Sequence, residues 1–276
     1  MPELPEVETV MRGMAAWLEG ARITRITLSG VPLRRPYPER FAERLAGRQI
    51  MGFRRRGKYI LMRLDDGMSV IWHLGMSGRV LRLEGDSLSP HLHFRLESDK
   101  GALGLIDPRR FGLLDLTETA REMDHPLLAP LGPEPLEKSF TAPALAGALA
   151  KRPGPLKTVL LDQRLIAGLG NIYVSESLFR ARLHPARAAS SLSPAETTRL
   201  TRAIKATLRE AIAAGGTSLR DFVHTDGTLG YFQHRFRVYG REGRPCSACP
   251  GPGCCPGVQR VVQAGRSTFF CPRRQR

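Results

Sequence analysis

Over the first twenty positions hydrophobic residues recur at helical spacing. Val7, Val10, Met11, Met14 and Leu18 share one face and Pro5 suits a first helical turn, so residues 5–19 read as an amphipathic helix. A β-rich stretch then begins at Arg22, with Ile23, Ile26 and Leu28, and a short basic helix at 38–47 interrupts it. From Gln49 to about Leu116 short strand-like runs alternate with turn signals. Tyr59–Leu64 and Met68–His73 flank Asp65-Asp66-Gly67, a hairpin turn, and the regular spacing predicts a sandwich or barrel. Pro126, Pro130, Pro133 and Pro135 mark a boundary at 119–136. Everything from Ala142 to Ala214 then reads as helix. Ser193-Pro194-Ala195-Glu196 is a capping box, followed by Leu200, Ile204, Leu208 and Ile212 at four-residue spacing, and Gly215-Gly216 stops that helix.

The fold class is therefore α+β, in three parts: a β-rich sandwich or barrel with a leading helix at 1–118, a helical part at 136–232, and a distinct tail at 235–276. Composition adds a partner. The 276 residues carry 42 Lys plus Arg against 26 Asp plus Glu, a net charge of +16, while 42% hydrophobic content excludes a disordered basic chain. Half of that excess lies in the tail, which has nine arginines and one glutamate. The partner is a polyanion, either nucleic acid or an anionic membrane surface. Against the membrane, no apolar run approaches the roughly 20 residues a span needs. The chain also opens with Glu3, Glu6 and Glu8 before any basic residue, the reverse of a secretory signal. The five cysteines all lie at or beyond Cys246, a crowding that suits a metal site in a reducing compartment better than a disulfide framework. The expectation is a cytoplasmic, soluble, nucleic-acid-binding protein.

Two segments carry chemistry. Removal of Met1 would leave Pro2 with a secondary amine whose pKa, near 8 for an α-amino group, keeps part of it neutral and nucleophilic. Such an amine attacks an aldehydic sugar carbon to give an iminium, with Glu3 and Glu6 near enough in sequence to move protons. The same residues also describe a helix-leading proline with acids complementing the helix dipole. The second segment is Gly168-Leu169-Gly170-Asn171. Glycines before a helix let backbone approach a phosphate, but an ordinary helix–helix turn with Asn171 as N-cap reads equally well.

Several motifs together go further. MPELPEVETV at the start, RRGKYIL around Lys58, HLGMSGR at 73–79, DPRRFG at 107–112, LLDQRLIAGLGNIYVSE at 160–176 and the late GRSTFFCP occur in one order over nearly the whole chain. The sequence thereby resembles the formamidopyrimidine-DNA glycosylase family. The resemblance implies a β-sandwich with a leading helix, a helical domain with a helix–two-turn–helix element, and a zinc-finger-like β-hairpin. It implies a monomeric, multifunctional base excision repair enzyme on double-stranded DNA, removing 8-oxoguanine and formamidopyrimidines and cutting the abasic strand by β,δ-elimination. By position, Pro2 is the Schiff-base nucleophile, Glu3 the acid/base, and Lys58 and Arg266 the elimination proton donors. His91, Arg110, Arg152, Lys157 and Asn171 match DNA contacts. Met76, Arg110 and Phe111 match the residues that fill the gap left by an extruded base. Outside the family, Lys58 is a lysine in a basic strand, and Met76 and Phe111 are ordinary apolar residues. Thr225–Phe232 resembles the loop that closes over 8-oxoguanine, which favours purines over an endonuclease VIII-like preference for oxidised pyrimidines. A third reading is a catalytically inert DNA-binding relative.

The tail departs from the family's two CxxC pairs. Cys246-Ser-Ala-Cys249 is intact, but the second pair reads Cys271-Pro-Arg-Arg274, with arginine where the fourth thiolate belongs. Cys254 and Cys255 are extra, in a Pro/Gly-rich insertion. Zinc prefers four tetrahedral ligands and arginine offers only donors. The expectation is one zinc on Cys246, Cys249, Cys271 and one of Cys254 or Cys255.

Overall fold

The computed structural model describes residues 2–85, 89–218, 224–249 and 254–276. The chain divides into two compact units, residues 1–129 with 214–231, and residues 130–213 with 232–276. The segment 214–231, which the sequence pattern groups with the helical part, thus packs with the first unit. The hairpin tail joins the helical unit rather than standing apart.

The first unit opens with α1 (Leu4–Leu18), within a residue of the predicted span. Its buried face holds Leu4, Val7, Val10, Met14 and Leu18. Eight strands follow: β1 (Ile23–Leu28), β2 (Ile50–Arg56), β3 (Tyr59–Leu64), β4 (Met68–His73), β5 (Arg79–Leu83), β6 (Leu92–Ser98), β7 (Gly101–Ile106) and β8 (Leu113–Glu118), with the short α2 (Phe41–Leu45) after β1. They form two four-stranded antiparallel sheets, ordered β1-β6-β7-β5 and β2-β3-β4-β8. One core joins both: Ile23, Val80, Phe94, Leu96 and Leu105 from the first sheet meet Ile60, Met62, Val70, Trp72 and Leu114 from the second. Trp72 and Phe94 meet edge to face with centroids 5.1 Å apart, a favoured aromatic geometry. The sandwich is the predicted one.

Helix α1 lies along β2 and β3. The β3–β4 hairpin turns at Asp65–Gly67, where Gly67 takes the left-handed φ of +77° that the turn requires. Arg22 N–H binding Asp99 Oδ1 at 2.9 Å and Trp17 Nε1 donating to Lys100 O at 2.8 Å pin the far end of α1 to the β6–β7 turn.

The second unit holds α3 (Ala142–Ala150), α4 (Leu156–Leu160), α5 (Asn171–Ala181) and α6 (Pro194–Ala213), then a hairpin of β9 (Gln259–Gln263) and β10 (Arg266–Phe270). The stretch that reads as helical from Ala142 to Ala214 is thus four helices, with the longer gaps at 161–170 and 182–193. Both gaps have apolar residues that sequence patterning reads as helix, but Leu165, Ile166, Leu169 and Leu183 are buried from irregular backbone. The capping box is present: Ser193 Oγ accepts the Glu196 N–H at 3.3 Å, and Glu196 Oε2 accepts the Ser193 N–H at 2.9 Å. A small core of Phe179, Val238, Cys246, Val258, Phe269 and Cys271 seats the hairpin.

Candidate active site and nucleic-acid interface

In the first unit the chain start is held inside the fold. Pro2 is buried and Glu3 is 3% exposed. Glu3 is the N-cap of α1, in a reciprocal capping box whose partner is Glu6. Glu6 Oε2 accepts the Glu3 N–H at 2.9 Å, and Glu6 Oε1 accepts the Thr217 N–H at 2.8 Å. Both oxygens of Glu6 are thus bound to main chain. Its part is to fix residues 2–3; the Glu3 side chain accepts the Glu6 N–H in return, and Glu3 is the sequence's candidate for proton transfer.

Lys58 sits in the two-residue turn between β2 and β3, where Gly57 has φ +57°, and is 7% exposed. It is not the solvated lysine that a basic strand suggests. The neighbouring Arg55 explains its placement. Its Nε donates to Glu8 Oε2 of α1 at 2.8 Å, and its Nη1 donates to Gly57 O at 3.1 Å. One guanidinium therefore ties the Lys58 turn to the first turns of the helix that starts at Pro2 and Glu3. Arg55 and Glu8 lie 47 residues apart in sequence, so no local pattern could reveal the pair.

His73, at the end of β4, packs against Tyr59 with ring centroids 4.8 Å apart, and its Nδ1 accepts the Gly75 N–H at 3.1 Å. Burial, and then the charges of Lys58 and Arg34, push its pKa down to about 4. His73 is therefore neutral at physiological pH, beside the cationic side chains of Lys58 and Arg34.

Met76 and Phe111 are 40% and 43% exposed, unusual for large apolar side chains. Arg110 beside them is exposed and takes φ +54°, a left-handed conformation that costs a non-glycine residue about 1 kcal/mol or more. The Arg109 guanidinium lies 4.6 Å over the Phe111 ring. His91 is exposed, whereas His93 is buried between Ser29 Oγ and Asp107 O, so of the two it is His91 that remains open to solvent. The 224–230 segment is a tight turn: Asp226 Oδ1 takes the Thr228 N–H and hydroxyl at 3.0 and 2.7 Å. Thr225 O accepts the Arg82 N–H at 2.9 Å. A Cβ on Gly13 would come 2.4 Å from Thr225 Oγ1, so the turn lies directly on α1.

In the second unit the structure corrects one expectation. Lys157 is fully buried: its Nζ donates to Ser267 O at 2.8 Å and Thr268 Oγ1 at 2.7 Å. Its ammonium is used on β10 and is not presented to an incoming phosphate. Asn171 opens α5 behind Gly170, which is the N-cap in its place, and its Nδ2 donates to the same Ser267 O at 3.0 Å. Two side chains thus clasp the strand next to Arg266, which stands exposed beside the Ala264–Gly265 tip. Arg152 is paired with Asp162 at 2.8 Å; burial raises the pKa of that carboxyl, but the Arg164 N–H and then the Arg152 guanidinium hold it below its usual range. Glu176, missed by sequence reasoning, accepts backbone N–H groups of Arg237, Val238 and Tyr239 at 3.0, 3.0 and 2.8 Å and locks α5 to the run leading into the tail.

Cys246, Cys249, Cys255 and Cys271 bring their sulfurs within 4.8 Å of one another, while Cys254 is exposed. Sulfurs of Cys246 and Cys249, Cys249 and Cys271, and Cys255 and Cys271 lie 3.1, 3.8 and 3.6 Å apart. Tetrahedral thiolates about 2.3 Å from a zinc ion stand about 3.8 Å apart, whereas a disulfide is near 2.05 Å. The set is complete at four cysteines. Arg274 therefore leaves no empty corner, contrary to a reading of the tail as short of a thiolate, because Cys255 takes part. The Pro/Gly residues 250–253 lie outside the described residues.

Both units match models of one class, the DNA glycosylases that carry a helix–two-turn–helix (H2TH) domain. The formamidopyrimidine-DNA glycosylase N-terminal domain matches residues 1–114, and the formamidopyrimidine-DNA glycosylase H2TH domain matches residues 131–223. Formamidopyrimidine-DNA glycosylases of Acidiphilium cryptum and Gluconobacter oxydans are 57% and 54% identical over all of this chain and all of theirs. The crystal structure of the MutM (Fpg) protein from Thermus thermophilus is 42% identical, with a TM-score of 0.87 over 99% of this chain and 98% of that one. A complex of the Lactococcus lactis Fpg protein with tetrahydrofuran-containing DNA and an inhibitor is 34% identical, with a TM-score of 0.90 over both full chains. The chain belongs to the formamidopyrimidine-DNA glycosylase family.

The His73 environment sets a pH dependence. Its pKa is near 4 when folded and 6.5 when unfolded, so the stability it contributes is fully present above pH 6.5 and is lost as pH falls from 6.5 towards 4. In an NMR titration the His73 ring should keep its neutral-form shifts down to about pH 5. A midpoint near 6.5 would contradict the burial and charge assigned to it.

Proposed function

We propose that this chain is a bifunctional DNA glycosylase and AP lyase of base excision repair that acts on oxidised purines in double-stranded DNA. The observation that carries the reading is the buried start of the chain, with Pro2 and Glu3 fixed by Glu6. With Met1 removed, the Pro2 nitrogen donates its lone pair to the sugar C1′ of a flipped nucleotide. The C1′–base bond breaks with its electrons leaving on the base, and Glu3 handles the protons. The amine then loses its proton and the C1′–O4′ bond opens with a proton to O4′, which gives the iminium. Loss of a C2′ proton expels the 3′ phosphate, and loss of a C4′ proton then expels the 5′ phosphate. Lys58 and Arg266 are the proton donors in those eliminations. Arg110 and Met76 with Phe111 occupy the vacated stack, and His91, Asn171 and Arg152 engage the backbone. Lys157 acts through the hairpin, by holding the strand that bears Arg266.

No helix among the described residues is long and apolar enough to cross a membrane. DNA as substrate and five free cysteines support a cytoplasmic setting. Pyrimidine lesions stay within reach as a second reading, because the wild-type Lactococcus lactis protein was solved with DNA containing an oxidised pyrimidine. An inert relative is disfavoured by the presence of Pro2, Glu3 and Lys58 together. Single-turnover excision from 8-oxoguanine:C and thymine glycol:A duplexes separates these readings. The purine substrate should be cut faster, and Glu3→Gln should lose about 10²-fold or more in excision while still binding DNA. Wild-type-like release by Glu3→Gln would remove Glu3 from the chemistry.

The four-thiolate set suits one zinc ion, held by Cys246, Cys249, Cys255 and Cys271, which when bound would act as a structural cross-link at the base of the β9–β10 hairpin. Metal analysis should find about one zinc per chain in the wild type and in Cys254→Ser, and a loss of metal in Cys255→Ser. Full occupancy in Cys255→Ser, or zinc near zero in the wild type, would overturn the assignment.

A further inference from the structure

Between β7 and β8 the fully buried Asp107 binds both of the turns that carry the exposed apolar side chains. Its Oδ1 accepts the Ser77 hydroxyl at 2.6 Å and the Arg109 N–H at 3.3 Å, and its Oδ2 accepts the Gly112 N–H at 2.7 Å. Ser77 follows Met76, while Arg109 and Gly112 bracket Arg110 and Phe111. The main chain of Asp107 is also engaged: its N–H donates to His91 O at 2.9 Å, and its carbonyl accepts the Arg110 N–H at 3.1 Å and lies 3.1 Å from His93 Nε2. The carboxylate cannot shift without moving one turn or the other.

The two turns also meet backbone to backbone. A Cβ on Gly75, which has φ +63°, would lie 2.4 Å from the Phe111 carbonyl carbon, and one on Gly112 would lie 3.0 Å from His73 O. Glycine brings the turns together, but contact alone does not fix their relative height. Hydrogen bonds to a charged, buried acceptor are short, directional and costly to break, so they do fix it. The chemistry requires an acid and not its amide. In an asparagine the NH₂ group must replace one of the two oxygens. It would then face either the Gly112 N–H or the Arg109 N–H, donor against donor.

We propose that Asp107 is a positioning residue that couples the Met76 turn to the Arg110–Phe111 turn, so that the two apolar side chains enter the duplex as one unit when a damaged base is drawn out. The inference rests on the reading of Met76 and Phe111 as void-filling residues. It adds that their spacing is set by one buried carboxylate that touches neither DNA nor the reacting sugar. A misplacement of about 1 Å in such a device costs about 100-fold in rate.

The experiment compares wild type, Asp107→Asn, Ser77→Ala and Met76→Ala on an 8-oxoguanine:C duplex, with a 2-aminopurine beside the lesion reporting base extrusion. Asp107→Asn and Ser77→Ala are also tested for borohydride trapping on single-stranded abasic DNA, which has no stack to fill, and for thermal unfolding. Asp107→Asn should lose about 10- to 100-fold in duplex excision, with a matching loss of the extrusion signal and single-strand trapping within about 2-fold of wild type. Ser77→Ala should show the same pattern more weakly, and it carries the test if Asp107→Asn does not fold. An impaired Met76→Ala alongside wild-type-like Asp107→Asn and Ser77→Ala would overturn the positioning role. So would equal losses on duplex and single strand. A wild-type-like Met76→Ala would instead sink the void-filling reading beneath it.

Discussion

The two oxygens of the Glu6 carboxylate each hold a backbone N–H, that of Glu3 at 2.9 Å and that of Thr217 at 2.8 Å, and the candidate active site depends on this bridge. The first residues of most chains are poorly ordered unless something ties them down. A nucleophile built on an N-terminal amine requires the opposite, because much of the benefit of a bound reactant comes from its fixed position. Here a 3%-exposed anion, compensated by main-chain donors, supplies the anchor. The same carboxylate holds Thr217, and further along the chain Thr225 lies against α1 at Gly13. One side chain thus sets the chain start and the entry to the loop that resembles the lesion cover.

Similar economy recurs through the interface. Arg55 joins the Lys58 turn to α1, Asp107 joins the two exposed apolar turns, and Lys157 with Asn171 grips the strand beside Arg266. In each case a buried or half-buried polar side chain joins separate parts of the chain beside a candidate site residue, itself buried for Lys58 and exposed for Met76, Phe111 and Arg266. Buried charges are tolerated because each is satisfied by partners with good geometry. Exposed Met76, Phe111, His91 and Arg266 are held by this scaffold rather than by their own packing.

How much of this was legible follows from the range of each signal. The β3–β4 hairpin was readable because Asp65-Asp66-Gly67 is a local turn signal between two alternating runs, and α1 because its apolar residues repeat at helical spacing. The helical part was over-read: Leu165, Ile166 and Leu169 are as apolar as helix residues but are buried from a loop, and pattern alone does not separate the two. Lys157 shows the other limit. Motif position suggested a phosphate contact, while its burial depends on Ser267 and Thr268, more than 100 residues away. Among the cysteines the sequence left Cys254 and Cys255 equivalent. Only the fold distinguishes them, by turning the second sulfur towards Cys271 and leaving the first in solvent.

The nucleophile assigned to this site is the amine of residue 2, held by Glu6. The most direct measurement is to reduce the complex with abasic-site DNA using borohydride, digest it with trypsin, and locate the sugar adduct by mass spectrometry. The adduct should be found on Pro2, within the peptide ending at Arg12, with Met1 absent. An adduct on Lys58 or another lysine, or a chain that retains Met1 and still forms the adduct, would contradict it.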